Sequence, residues 1–263
     1  MIFRVKLIIL AHFFSAYFNL FSDENTMQPE EINSIHHIEN VYFRITADLK
    51  FLDLEKPVTL KDLLSNSTNV LLIPVYFNCK QTCPVVMKNI SELMKSNSHF
   101  FRKFNLRIVF FSLDEHETPA DALKAQKRMF SDAKGQISFL TKENNFDYLI
   151  LIQNLGLRFK RHTNMISHVP VQILINSHGM VMKYLYGEAK DIFQIKLAAV
   201  SHLNENANIL DKISSWLFTY ENSIKMYVFQ TDRLIILITI PLTGLMLILF
   251  LVSFRKKSNA RED

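Results

Sequence analysis

The chain has 263 residues, 49% apolar and 21% charged, an ordinary globular balance that allows one or two domains with a sizeable core. Its formal charge of +5 is spread along the sequence without a basic block or interleaved aromatics, which argues against nucleic acid as a partner. Two cysteines cannot build a disulfide framework, and Cys79 and Cys83 stand so close together that they read as a site.

In chain order, residues 1–22 carry Arg4 and Lys6 and then an uncharged apolar run, the pattern of a signal peptide or an uncleaved N-terminal hydrophobic segment. Residues 23–40 are polar and acidic and read as a tether, with His36 and His37 incidental to it. From Val41 the alternation with Phe43 and Ile45 predicts a short strand, and Phe51 to Leu54 another. Val70 to Phe77 is a continuous apolar run, as expected of a central strand buried on both faces, and it leads directly to Cys79. Pro84 suits the first turn of a helix, which the spacing of Val86, Ile90, Leu93 and Met94 carries to about Ser96.

Leu106 to Phe111 predicts a second buried strand, followed by a loop and a helix after Pro119. A third strand is expected at Ile137 to Leu140 and a helix from Phe146 to Leu157, stopped near Gly156. Val171 to Ile175 and Val181 to Tyr186 flank the turn residues Asn176 to Gly179 as a hairpin, and a closing helix spans about Asp191 to Leu203. Strands alternating with helices predict an α/β sandwich over 41–203.

Residues 204–233 form an amphipathic connector, suited either to the membrane interface or to packing back on the domain. Residues 234–254 hold no charge and are long enough to cross a bilayer as a transmembrane helix. The basic cluster Arg255, Lys256 and Lys257 opens a tail, 255–263, that is expected to lie in the cytoplasm, with the domain on the other side.

A strand, then Cys-x3-Cys-Pro, then a helix places two thiols where backbone N–H groups and the helix dipole favour thiolate. Such a pair can exchange electrons as dithiol and disulfide, or hold a soft metal. Two thiolates with an imidazole would suit Cu(I), and nine histidines compete for that place.

Cys79-x3-Cys83-Pro84 resembles the copper motif of the Sco/SenC family, whose members help assemble the copper centre of cytochrome c oxidase. Phe110 to Asp114 with Thr118-Pro119 is similar to that family's strand and loop, and His168 stands where its ligand histidine precedes a strand and a Gly turn. The resemblance covers about 41–203 and implies a thioredoxin-like sandwich with a central mixed β-sheet and a C-terminal transmembrane helix, as in an anchored bacterial subgroup. It also implies copper held by Cys79, Cys83 and His168, and an address at the inner membrane with the domain on the periplasmic side. The implied partner is the copper-bearing oxidase subunit or another copper chaperone.

Two positions depart from the family pattern. Lys80 stands where many members have Pro, and its charge favours the Cys79 thiolate. Pro170 directly follows Val169; copper-binding members usually lack it, whereas thioredoxin-like folds use a cis proline there facing the thiols. A cis Val169–Pro170 bond is therefore the expectation on the alternative reading, a thiol–disulfide oxidoreductase with Cys79 and Cys83 as its redox pair. Asp114 is expected to order its loop or cap a helix.

Overall fold

A computed structural model describes residues 37–130, 137–162, 165–189, 191–203 and 207–259, all within one compact unit, Ile35–Asp263. The N-terminal hydrophobic segment and most of the tether expected from the sequence lie outside the described residues. The elements in order are β1 (Lys50–Asp53), β2 (Lys56–Thr59), α1 (Leu60–Leu63), β3 (Asn69–Val75), α2 (Thr82–Ser96), α3 (Ser98–Lys103), β4 (Leu106–Ser112), α4 (Pro119–Met129), β5 (Ile137–Lys142) and α5 (Asn145–Asn154). There follow β6 (Lys160–His162), β7 (Met165–Ser167), β8 (Val171–Ile175), β9 (Val181–Tyr186), α6 (Ile192–Leu203), α7 (Ile209–Trp216), β10 (Phe218–Glu221), β11 (Met226–Phe229) and α8 (Thr231–Asn259).

Seven strands form one sheet in the order β2-β1-β5-β4-β3-β8-β9. β3 is parallel to β4, and β4 to β5, while β1, β8 and β9 run antiparallel to their neighbours. Strand alternation divides the core in two. Leu71, Ile73 and Val75 of β3 pack with α2, α4 and α6 on one face, while Val70 and Leu72 meet α1 and α5 on the other. Burying each such side chain is worth roughly 1.5–3 kcal/mol. The result is a thioredoxin-like α/β sandwich with a mixed central sheet.

Pro74 sits inside this central strand, where a missing N–H would normally break a ladder. The Val75 carbonyl accepts from Leu113 on the β4 side, at 2.7 Å. By alternation Pro74 therefore turns its missing donor toward β8, and there pairing has already ended at Leu72–Ile173. The sheet opens at that point, and Ile73, Pro74 and Val75 become one wall of a cleft.

The strand expected at Val41 to Ile45 does not form. Tyr42 turns into the left-handed region at φ 64°, which leaves a single bridge between Arg44 and Met180 in place of a ladder. Gly156 also has positive φ, at 56°, and a Cβ there would lie 1.9 Å from the Ile38 carbonyl oxygen. That close approach lets Ile38 N–H reach the Gly156 carbonyl at 2.8 Å and dock the N-terminal segment onto the end of α5.

Residues 207–230 pack back on α6. Asp211 of α7 pairs with Lys103, and Ser215 shares a 2.7 Å hydrogen bond with Ser201. Tyr227 N–H donates to Gln194 Oε1 at 2.8 Å, and the Phe218 ring meets Phe193 edge-on. Then α8 departs. Among the described residues it is the one helix long and apolar enough to cross a membrane, and its side chains through Leu249 are not buried against the domain.

Candidate metal centre

β3 ends at Val75 and the chain turns, with Cys79 N–H bonded to the Tyr76 carbonyl at 3.0 Å. A buried carboxylate fixes this turn. Glu117 accepts the N–H of Phe77 at 2.9 Å, the N–H of Asn78 at 2.6 Å and the Ser112 hydroxyl at 2.6 Å. Burial raises its pKa to about 7 against the pull of these bonds. The loop carrying Glu117 is ordered in turn by Asp114, which accepts His116 N–H at 3.0 Å and pairs with Arg161 at 2.8 Å. Burial pushes the Asp114 carboxyl up, but the Arg161 guanidinium and the His116 N–H together hold it below its ordinary value. Asp114 thus orders the loop, while Thr118 and Asp121 cap α4.

The two thiols differ sharply. Cys79 is half-buried just before α2, and Cys83 is buried in its first turn at 5% exposure. The Cys83 thiol hydrogen-bonds Cys79 and draws its pKa down to about 5, overcoming partial burial, with help from the N–H groups of Cys83, Gln81 and Thr82. Gln81 N–H stands 3.4 Å from Cys79 Sγ. The Cys83 thiol is pushed well above its ordinary value by that same bond and by burial. Cys79 is therefore the thiolate and Cys83 the proton-bearing partner.

His168 lies across the opening beside β8. Burial lowers its pKa to about 4, so the ring is neutral at neutral pH. Its Nδ1 lies 3.1 Å from the Val169 carbonyl, which makes Nδ1 the donor and leaves the Nε2 lone pair for a metal. The same carbonyl receives His37 Nε2 at 2.9 Å, while His37 Nδ1 accepts from Arg158 N–H at 2.9 Å. His37, incidental in the sequence, is buried and braces the segment that presents His168. The Val169–Pro170 bond is trans, contrary to the cis expectation; Val169 is held by these two imidazoles, and the Pro170 carbonyl accepts Gly187 N–H at 3.0 Å.

Cys79, Cys83 and His168 all line one open cleft of about 620 Å³, with Lys80, Tyr76 and Pro170. Among the described residues no three ligating side chains are already gathered around a common point. The structure brings the predicted donors to one cleft without closing them into a coordination sphere. Glu117, Arg161 and the bracing role of His37 are not legible in the sequence. Their contacts join segments 39, 47 and 132 residues apart, so no local pattern signals them.

A central strand delivering one low-pKa and one buried thiol to the head of a helix defines a thioredoxin-like domain with a dithiol site. No protein-family model matches the chain, and no curated protein matches it. Among solved structures, it is similar to a proposed electron transfer protein from Aquifex aeolicus VF5, at 19% identity and a TM-score of 0.57, covering 64% of this chain and 96% of that one. A proposed electron transport protein from the same organism matches at 17% identity and a TM-score of 0.54, covering 64% and 99%. A SCO1/SenC family lipoprotein from Bacillus anthracis str. Ames matches at 23% identity and a TM-score of 0.48, covering 55% and 85%.

Proposed function

We propose that the chain is a membrane-anchored copper carrier of the Sco/SenC type, with copper as cargo held by Cys79, Cys83 and His168. The observation that carries this reading is the donor set of the cleft: a thiolate, a second thiol and a neutral imidazole whose Nε2 is available. Two sulfurs and one imidazole nitrogen suit Cu(I), and binding displaces the proton from Cys83. The three side chains close on the ion when it arrives. The motif resemblance makes the copper-bearing subunit of cytochrome c oxidase, or another copper chaperone, the exchange partner. The apolar helix α8 and the basic residues after it support an address at the inner membrane with the domain on the periplasmic side.

Cu(I) titration of the reduced chain tests this reading. One ion bound per chain is expected, with loss of binding in Cys79→Ser; a reduced chain that takes up no copper contradicts it.

The thiol asymmetry favours a second reading, a thiol–disulfide oxidoreductase that keeps partner cysteines reduced for metal insertion. The Cys79 thiolate attacks a partner disulfide, forming a mixed disulfide and releasing one partner thiolate. Cys83, losing its proton, then attacks Cys79 Sγ, closing the Cys79–Cys83 disulfide and releasing the second partner thiol. Two electrons pass to the partner, and an external thiol reductant restores the dithiol. Cys83→Ser should accumulate the mixed disulfide on non-reducing gels, whereas Cys79→Ser should not; equal trapping by both variants, or by neither, counts against this order.

A further inference from the structure

We infer that α7 and the β10–β11 hairpin form a surface that rests in the lipid–water interface, with Trp216 and Arg233 at headgroup depth. Ile209, Ile213 and Trp216 recur at helical spacing along α7, and none of its residues is buried in the domain. Ile209 is 77% exposed and Leu210 73%. The hairpin adds exposed Met226 and Val228, alternate residues of β11 that share one face, shortly before α8 begins at Thr231. An apolar patch of this kind calls for a covering surface, and its continuity with an apolar, unburied helix names the bilayer as that surface.

The junction is clamped. Arg233 Nη1 donates to the Trp216 carbonyl at 2.5 Å, and its guanidinium lies 5.9 Å from the centre of the Trp216 ring. Gln230 N–H donates to the Leu217 carbonyl at 2.8 Å. The end of α7 and the first turn of α8 therefore move together. Arg233 is the last charged residue before the apolar run that starts at Leu234, so it marks the edge of the hydrocarbon region. Trp216 beneath it shares that depth, where an amphipathic ring and a snorkelling guanidinium are both stable. Among the described residues, none that lines the thiol cleft belongs to α7, the hairpin or α8.

The inference rests on α8 crossing the membrane, and the experiment separates the two. Trp216 is the only tryptophan, so the emission of the full-length chain in phosphatidylcholine vesicles reports on it alone. Vesicles are prepared with bromines either near the headgroup end of the acyl chains or near their tips, and alkaline carbonate extraction is run in parallel. The expected result is retention in the membrane with loss of roughly half the emission to shallow bromines and much less to deep ones. Retention with no quenching by either set overturns the interfacial surface while leaving the anchor standing. If Trp216 is then also shielded from aqueous iodide, a protein covers the patch instead. Release by carbonate overturns the anchor and this inference together.

Discussion

The Glu117 carboxylate accepts the backbone N–H of Asn78 at 2.6 Å, joining the loop after β4 to the turn after β3. Asn78 immediately precedes Cys79, so a residue 38 positions away sets where the reactive thiol stands. The same carboxylate holds Phe77 N–H and the Ser112 hydroxyl, so its place in the protein is determined by three donors. An amide in its place would turn NH2 toward at least one of them.

Glu117→Gln should therefore destabilise the chain by about 1–3 kcal/mol, the cost of leaving buried partners unmatched. Its pH dependence has a definite sign. The Glu117 pKa rises from an ordinary 4.5 to about 7 on folding, so between those values the folded chain holds a proton that the unfolded chain has lost. Stability contributed by this group is full below about 4.5 and declines as pH rises to about 7. Thermal unfolding of the detergent-solubilised chain across that window should show the decline in wild type and its absence in Glu117→Gln. An identical slope in both would show that Glu117 is not the titrating group.

The thiols should label in sequence. With its pKa near 5, Cys79 is thiolate throughout the neutral range, whereas Cys83 keeps its proton. Iodoacetamide should alkylate Cys79 first, at a rate that rises with pH through about 5 and is level by neutrality. Peptide mass spectrometry reads the order directly. First labelling at Cys83, or a rate still climbing at pH 8, would reverse the assignment of thiolate and resolving thiol.

Gly156→Ala tests the docking of the N-terminal segment. The added Cβ meets the Ile38 carbonyl oxygen at 1.9 Å, and the backbone is already at positive φ. A loss of at least about 2 kcal/mol is expected from strain and displacement together. Gly187→Ala serves as the control, because a Cβ there meets nothing within 4 Å although its φ of 109° is also positive. Equal melting temperatures for the two variants would mean that the Ile38 contact contributes little.

The sandwich was legible where one kind of residue dominated a stretch. β3 and β4 are continuous apolar runs because both their faces are covered, and α2 begins next to Pro84 because proline fits a first turn. Val41 to Ile45 misled because alternation describes side chains, whereas Tyr42 alters the backbone angle that a strand requires. Cys79, Cys83 and His168 could be picked out by residue type and motif order. Which of the two thiols is the more acidic could not, since that depends on the hydrogen bond between them and on the burial of Cys83. His37, Arg161 and Glu117 act through contacts between distant segments and carry no local signature. Pro170 suggested a cis bond by analogy, and the hydrogen bonds of its neighbour Val169 show a different arrangement.

On the proposed reading, His168 completes a copper site with the two thiols. Competition for Cu(I) between a chromophoric chelator and the reduced chain, wild type against His168→Ala, measures this most directly. Loss of the imidazole should lower affinity at least about tenfold, with both thiols still free to react. Unchanged affinity in His168→Ala would contradict the account and leave Cys79 and Cys83 as a dithiol without a third ligand.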